Sequence, residues 1–282
     1  MKKETEKKII KIKVFKIKNI FIISLILILF SSLLISSMNI IKWFKDNKKT
    51  SVIINKIENS TAPINKIDSE NTEIIQNEDI KETDPYWDYI KMNLMEVNFD
   101  ELYKLNHEVK GWIQVNGTNV NYPFVQTNNN DFYLTHDLEK KWNDAGWIFM
   151  DYRNDSVEFD KNTIIYGHAR LDTTMFGSLK NIIKSKWYNN KDNYIVKLST
   201  PTHNTMWQVF SVYHIPTTND YIQTTFYSDE DYENFLNLIK NRSIANFKTT
   251  VNINDKILTL STCYRNDEKI VLHAKLIKKE TR

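Results

Sequence analysis

An uncharged apolar segment, Asn19–Ile41, places the strongest constraint on how this chain folds. Its length matches the roughly 20 apolar residues that a helix needs to cross a lipid bilayer. A cleaved signal peptide has a shorter apolar core and a small-x-small cleavage site, and the sequence SSMNI at 36–40 offers no such site. We therefore predict a retained transmembrane helix between a short N-terminal tail and a large C-terminal part.

The charged residues are distributed unevenly around this segment. The first 49 residues carry 12 lysines against three acidic residues, a net charge of +9, whereas the rest of the chain carries −6. Eight of these lysines precede the apolar segment and four follow it, which favours a cytoplasmic N-terminus and export of the chain after Lys42. A basic N-terminus suits an anionic membrane surface, and the acidic remainder gives no basis for nucleic-acid binding. We predict a single-pass protein of the cell membrane whose large part lies outside the cell.

The composition changes again at Asp84-Pro85. Before this point the chain is rich in Asn, Glu, Lys, Ser and Thr and shows no sustained hydrophobic period. Beyond it lie six of the seven tryptophans, and the amphipathic spacing after Tyr86 predicts one or two short helices. The predicted organisation is a cytoplasmic tail at 1–18, a transmembrane helix at 19–41, an extracellular stalk at 42–85 and a folded domain at 86–282.

After Gly111 the pattern is mainly that of β-strands, because short runs rich in β-branched and aromatic residues alternate with turn-forming residues. The predicted strands are Trp112–Val115, Gly146–Met150, Asn162–Tyr166, Tyr194–Leu198, Trp207–Ile215, Lys256–Thr262 and Lys269–Ile277. Two predicted helices interrupt them, one at Thr174–Ile183 and one that follows Ser228 as its N-cap. Many strands and few helices predict a mainly β (α+β) fold built on a closed or nearly closed barrel.

Cys263 is the only cysteine of the chain, so it forms no intramolecular disulfide. Composition alone favours a buried packing role for such a residue. However, KILTLSTC at 256–263 reads as an alternating strand that ends at the cysteine, and a strand end suits an accessible, reactive thiol. Metal binding is the rival use, but the chain has no CxxC or HExxH motif, and we predict neither a metal site nor a cofactor.

A cysteine nucleophile requires a base or an imidazolium partner within hydrogen-bond distance. His168 is the best-placed candidate, since it directly follows the predicted strand Asn162–Tyr166. Gly167 before it gives the backbone conformations that other residues do not adopt. His214 and His273 lie inside predicted strands, where a structural role is favoured.

The motifs YGH at 166–168 and TLSTC at 259–263, followed by an apolar strand that begins with a cation, resemble class B of the sortase family. The segments GWIQVNGTNVNYPFVQ, NDFYL, FMDYRN and MFGSL and the pair Tyr221-Ile222 add to the resemblance, which extends from about Tyr86 to Lys278. It implies a sortase-type β-barrel of about eight strands, with helices added at the N-terminus and before the late strands.

The resemblance also implies transpeptidation. The Cys263 thiolate would attack the carbonyl of a Thr in an NPxTN-like C-terminal sorting signal of a secreted protein, and His168 would protonate the leaving nitrogen. An amine of the cell-wall peptidoglycan would then resolve the thioester. Two alternatives stay open: a pilin-polymerising sortase with a lysine side chain as acceptor, and an inactive, membrane-tethered binding protein on the same barrel.

The family's third catalytic residue is an arginine that opens the strand after the cysteine, and here this chain departs from the pattern. Lys269 stands in that register, and Arg265 lies four residues earlier. Lysine keeps the charge but lacks the planar fork of arginine, so Arg265 is slightly favoured as the oxyanion-stabilising cation. The substrate-binding residues that the resemblance implies are Asn130, Leu134, Tyr166, Thr217, Tyr221, Ile222 and Ser261.

Overall fold

The computed structural model describes the backbone of residues 2–76, 80–264 and 267–282, and the side chains of these residues except 2–6, 8–17, 60, 263 and 264. The helices are α1 (Lys2–Ser60), α2 (Tyr86–Tyr89), α3 (Asp100–Leu105), α4 (Ser185–Tyr188) and α5 (Asp229–Asn241), with 3-10 helices at Phe132–Leu134, Gly177–Asn181 and Lys191–Asn193. The strands are β1 (Ile64–Lys66), β2 (Thr72–Ile74), β3 (Leu94–Glu96), β4 (Val109–Val115), β5 (Asn121–Val125), β6 (Phe149–Met150), β7 (Asn162–Tyr166), β8 (Ile195–Ser199), β9 (His203–Pro216), β10 (Ile257–Tyr264) and β11 (Glu268–Thr281).

The chain divides into two compact units, Met1–Lys49 and Thr50–Arg282. The first unit consists of the greater part of α1. Among the residues that the structure describes, the helical stretch Lys18–Asn59 is the one long and apolar enough to cross a membrane. This helix is compatible with the predicted transmembrane segment at 19–41.

The second unit is built on a closed barrel of eight strands, which confirms the barrel that the strand pattern predicted and the strand number that the resemblance implied. Around the barrel the order is β10-β7-β6-β5-β4-β8-β9-β11, and pairing between β11 and β10 closes the ring. Most neighbours are antiparallel, but β5 and β6 are parallel, and so are β7 and β10. The β7–β10 pair is central to the site described below, because parallel strands end at the same edge of a sheet.

The residues of β10 and β11 alternate between two hydrophobic clusters. Leu258 and Leu260 belong to the larger core, whereas Ile257 and Val271 belong to a second cluster beneath α5. Helix α5 begins where the sequence predicted, because the Ser228 hydroxyl accepts a hydrogen bond from the Asp231 N–H at 3.1 Å. The α5 side chains in the second cluster are Tyr232, Phe235, Leu236 and Ile239.

Two elements differ from the sequence prediction for local reasons. Strand β5 was not predicted because Pro123 lies in its middle, opposite Trp112 of β4, and proline argues against a strand. The helix predicted at Thr174–Ile183 is only a 3-10 turn at Gly177–Asn181. Thr173 and Met175 both have positive φ angles, which interrupt a helix at its start.

The predicted stalk at 42–85 also differs from the structure, which places regular elements there. Helix α1 continues to Ser60 and buries Ile53 and Ile57, one turn apart. Strand β1 pairs with β3, and β2 adds an edge strand to β11. The sequence pattern did not predict these elements, because each contributes only a few residues and gives no sustained hydrophobic period.

An ion pair between a buried lysine and a partly exposed aspartate also connects this interval to the barrel. The Lys278 side chain is fully buried, and its ammonium donates to Asp68 Oδ2 at 2.6 Å and to the carbonyls of Ile90 and Met92. Asp68 lies between β1 and β2 and supplies the counter-charge. The folded unit therefore begins at Thr50, well before the predicted boundary at Tyr86.

Candidate active site

The parallel pairing of β7 and β10 brings His168 and Cys263 to the same edge of the barrel. The last residues in register are Tyr166 and Ser261, and the Gly167 N–H still reaches the Ser261 carbonyl at 3.4 Å. His168 and Cys263 each lie two residues beyond that last pair, in the same direction. The structure thus places the two predicted catalytic positions side by side along the backbone; the Cys263 side chain lies outside the described part.

The imidazole of His168 is oriented by a backbone carbonyl. Its Nε2 lies 2.7 Å from the Leu134 oxygen, and since a carbonyl only accepts, Nε2 carries the proton in this contact. Leu134 is the last residue of the 3-10 helix Phe132–Leu134. The bond fixes one ring nitrogen and leaves Nδ1 for a reacting group.

Gly146 makes the approach between His168 and this 3-10 helix possible. Its φ is +57°, and a Cβ there would lie 2.5 Å from the Tyr133 oxygen and 2.8 Å from Cδ2 of His168. Both distances are shorter than real Cβ contacts allow. A glycine is therefore required for conformation and for space, a role that the sequence alone did not reveal.

We expect Gly146→Ala to lower the rate of peptide cleavage by about 100-fold, because a shift of about 1 Å in a catalytic group is enough for such a loss. Gly117→Ala is the matched control: Gly117 also has a positive φ, +70°, and a Cβ there meets the Asn193 side chain, and neither residue lines the cleft that contains His168. Both variants should lose stability in urea unfolding, but only Gly146→Ala should lose kcat. Equal kcat in the two variants would contradict this role of Gly146.

Lys269 lies directly opposite Cys263. The antiparallel register of β10 and β11 pairs these two residues, and the half-buried Lys269 side chain lines the same cleft as His168. Residues opposite each other in an antiparallel pair have their Cα atoms only about 4.5–5.5 Å apart. Arg265, the other predicted cation, lies outside the described residues.

The predicted site residues meet in one cleft of about 310 Å³. All seven predicted substrate-binding residues line it, together with His168 and Lys269. Five further lining residues were not predicted: Phe149, Gly167, Thr218, Asn219 and Thr262. Residues from separate parts of the chain therefore form a single concave surface at the edge where β7 and β10 end.

A buried carboxylate, Asp151, supports one side of this cleft. It accepts hydrogen bonds from the Tyr166 hydroxyl at 2.9 Å, from the Asn130 amide at 3.0 Å and from the Arg153 guanidinium at 2.7 Å. Burial by itself acts to raise the pKa of Asp151, but the bonds from Arg153 and Tyr166 outweigh it and hold the pKa below its ordinary value. Asp151 and Arg153 belong to the motif FMDYRN, but the sequence alone did not reveal that these two residues support the cleft.

A second buried polar chain lies between the barrel and α5. The Thr259 hydroxyl donates to Asn162 Oδ1 at 2.6 Å, so it must accept from His273 Nδ1 at 2.8 Å. His273 Nε2 then accepts from the Tyr213 hydroxyl at 2.8 Å. The chain fixes the neutral tautomer of His273, and burial lowers the pKa of this histidine to about 3.

This shift predicts a loss of stability in mild acid. Because the pKa of His273 is lower in the folded state than its ordinary value of about 6.5, the unfolded chain binds a proton first as the pH falls from 6.5 towards 3. The free energy of unfolding should fall by about 1.4 kcal/mol per pH unit in this window, or about 2 kcal/mol at pH 5. Urea unfolding at pH 7.5 and pH 5 measures this effect. Between these pH values the free energy of unfolding should fall further in the wild type than in His273→Gln, and equal decreases would contradict the predicted role of His273.

Potential metal ligands do not cluster in the described parts of the chain: no group of three or more His, Cys, Asp or Glu side chains is arranged to hold an ion there. The cleft instead combines a histidine, a lysine and hydroxyl groups around the end of a strand that carries the single cysteine. Such a set is suited to acyl transfer through a thiol.

Comparison with known proteins identifies the class. A sortase domain family model matches residues 113–277. Sortase B of Staphylococcus aureus is 39% identical over 184 residues, which cover 64% of this chain and 75% of that protein. Sortase B of Listeria monocytogenes is 33% identical over 183 residues, which cover 64% of this chain and 74% of that protein.

Solved structures agree with this assignment. The S. aureus sortase B–substrate complex has a TM-score of 0.60 at 38% identity, and the match covers 64% of this chain and 84% of that one. Sortase B of B. anthracis in complex with AAEK1 has a TM-score of 0.65 at 32% identity, and the match covers 83% of this chain and 99% of that one.

These family matches, together with the closed barrel, identify the protein as a cysteine transpeptidase. The chain belongs to the sortase family and, within it, to class B. This membership favours an enzyme over an inactive binding protein on the same barrel.

Proposed function

We propose that this protein is a membrane-anchored transpeptidase that cleaves an NPxTN-like sorting signal after its Thr and transfers the secreted protein to a peptidoglycan amine. The observation that carries the proposal is the single cleft that unites His168, Lys269 and all seven predicted substrate-binding residues beside the end of β10. The cleft lies at the edge of the barrel where β10 ends, and we infer that an extended peptide binds there beside position 263.

The proposed reaction proceeds in two steps, formation of a thioester and its resolution by an amine. The Cys263 thiolate attacks the Thr carbonyl carbon, a C–S bond forms, and the carbonyl oxygen becomes an oxyanion. The imidazolium of His168 then gives its proton to the amide nitrogen as the C–N bond breaks, which leaves a thioester. In the second step an amine attacks the thioester, a new C–N bond forms, and neutral His168 receives the proton as the thiolate departs.

We assign oxyanion stabilisation to Lys269. Its register opposite Cys263 and its side chain in the cleft support this choice over Arg265, which sequence reasoning had slightly favoured. An ammonium placed where negative charge develops stabilises the transition state more than the ground state. The lysine ammonium can donate a hydrogen bond to the oxyanion but lacks the bidentate geometry of arginine, so it fixes the position of the oxyanion less strictly.

The partners follow from the same cleft and from the relatives. The S. aureus enzyme has been solved as a substrate complex, and a sortase B has been solved in complex with a glycine tripeptide. We infer a sorting-signal peptide as the first substrate here and an amine of a peptidoglycan peptide as the second. The helical stretch Lys18–Asn59 supports a membrane anchor, and the lysine excess before it supports a cytoplasmic N-terminus with an extracellular catalytic domain.

Mass spectrometry of the full chain in detergent tests the proposal. Incubation with an NPxTN-like peptide should give a covalent adduct on Cys263 that is absent in Cys263→Ala. Addition of triglycine should release the adduct as a peptide–glycine product, whereas a pilin-polymerising enzyme would prefer a lysine side chain. Absence of cleavage across a panel of sorting-signal peptides would refute the proposed function.

A further inference from the structure

One wall of the cleft has no regular secondary structure. We call the segment Thr217–Ile222 the substrate wall; it lies between β9 and α5, and five of its six residues line the cleft. Within the segment the backbone makes one hydrogen bond, from the Ile222 N–H to the Asn219 carbonyl at 3.3 Å. The shape of the wall must therefore depend on contacts with the rest of the fold.

The one wall residue that does not line the cleft is Asp220, which binds helix α5. Arg242, the C-cap residue of α5, donates two hydrogen bonds to the Asp220 carboxylate, at 2.9 and 2.6 Å. The hydrogen bond from Arg242 lowers the pKa of Asp220, so the pair is charged at neutral pH. The Arg242 guanidinium also lies 5.9 Å from the ring centre of Tyr213, which limits its freedom further.

Two further contacts hold the ends of the wall, and a third holds the residue that follows it. The Thr217 N–H donates to the Asp267 carbonyl at 2.8 Å, in the connection between β10 and β11. At the other end Arg153 donates to the Ile222 carbonyl at 3.0 Å. The Asn162 amide donates to the Gln223 carbonyl at 2.8 Å, and its amide oxygen is fixed by the buried chain through Thr259.

These contacts have a thermodynamic consequence for binding. A loop that is ordered only when the peptide arrives spends part of the binding energy on lost conformational entropy, whereas a loop already ordered does not. The Asp220–Arg242 pair joins the middle of the wall to α5. Unlike the contact between the Tyr221 and Ser261 hydroxyls at 2.9 Å, it involves no residue that lines the cleft. Its removal should weaken peptide binding without moving the reacting groups.

We propose that Arg242, which lies outside the cleft, is a positioning residue for the sorting-signal peptide: through Asp220 it holds the substrate wall in its binding shape before the peptide arrives. The inference rests on the proposed function, since it concerns the same cleft. It assigns a role in substrate binding to the C-terminal end of α5.

The test compares Arg242→Gln with a matched arginine variant in steady-state peptide cleavage by the full chain in detergent. Arg282→Gln is the control, because Arg282 also pairs with a carboxylate, Glu96 at 3.3 Å, and stacks on an aromatic ring, Phe99. We expect Arg242→Gln to raise KM about tenfold while kcat stays within about twofold of the wild type. Arg282→Gln should lose a similar amount of stability but leave KM and kcat unchanged.

Two further measurements separate positioning from general damage. The exchanged pair Asp220→Arg/Arg242→Asp should recover part of the lost affinity, because the attraction is restored with reversed polarity. The rate at which a small methanethiosulfonate reagent modifies Cys263 should be the same in Arg242→Gln and the wild type, since that reagent does not need the wall.

The outcomes distinguish this inference from the proposed function. A wild-type enzyme that cleaves no sorting-signal peptide would refute the function. A wild type that cleaves, together with an Arg242→Gln variant whose KM matches that of Arg282→Gln, would overturn the positioning role alone. A fall in kcat at constant KM, or slower thiol modification, would also overturn it.

Discussion

Replacement of Lys269 by alanine is expected to lower the rate of acyl-enzyme formation by about 10²–10³-fold, the usual loss when one oxyanion-stabilising donor is removed. Lys269 is paired with Cys263 in the β10–β11 ladder, and its side chain lines the cleft. The effect should appear in kcat, because the charge it stabilises develops in the transition state. Single-turnover mass spectrometry of the thioester measures it directly.

Two variants make this prediction specific. Lys269→Arg keeps the positive charge and adds the planar guanidinium, so it should retain most of the wild-type rate. Arg265→Ala, assayed in parallel, should leave the rate within about threefold of the wild type if Lys269 supplies the charge, since Arg265 would then have no part in stabilising the oxyanion. If Arg265→Ala abolishes the thioester and Lys269→Ala does not, the assignment must be reversed.

Removal of residues 1–85 is expected to unfold the catalytic unit, whereas removal of residues 1–49 is not. The shorter fragment loses Asp68 and leaves the fully buried Lys278 ammonium without a counter-charge, which typically costs about 3–5 kcal/mol. It also loses the burial of Ile53 and Ile57, about 1.5–3 kcal/mol each. The sum is comparable to the total stability of a typical domain, about 5–15 kcal/mol.

Thermal unfolding of the two fragments, Thr50–Arg282 and Tyr86–Arg282, measures this difference. Asp68→Asn in the longer fragment removes the ion pair alone and should lower the free energy of unfolding by about 3 kcal/mol. This is the lower end of the expected range, because the Asp68 side chain is partly exposed. Lys104, which pairs with Glu101 on an exposed turn, offers a control in Lys104→Gln that should change stability by less than about 1 kcal/mol. Equal melting temperatures for the two fragments would show that the predicted boundary at Tyr86 was adequate.

Much of the barrel could be predicted from the sequence because alternation of apolar and polar residues is a local signal. All seven predicted strands are present, and β7 spans the predicted residues Asn162–Tyr166. Strand β5 was missed because Pro123 weakens its local signal, and the elements between Ile53 and Ile74 were missed because each is too short to give a recognisable pattern. Local patterns predict which segments form strands but carry no information about which distant segment covers them.

The candidate site shows the same division. The motifs around His168 and Cys263 were evident as strand ends, but their adjacency depends on the parallel register of β7 and β10. Asp151 and Arg153 were part of a noticed motif, yet their support of Tyr166, Asn130 and Ile222 required three-dimensional contacts. Gly146 gave no recognisable signal, because its importance lies in the absence of an atom where His168 approaches.

The sequence by itself determined the chemistry available to this protein: one cysteine at a strand end, a histidine after another strand, two candidate cations and an apolar helix suited to a membrane. Only the tertiary structure decided which of these groups meet, how the cleft wall is held and where the folded unit begins. The physical reason is that hydrophobic periodicity is a signal carried by a few neighbouring residues, whereas barrel closure, register and long-range ion pairs depend on contacts between residues far apart in the chain. Lys278 and Asp68, separated by 210 positions, form one such contact.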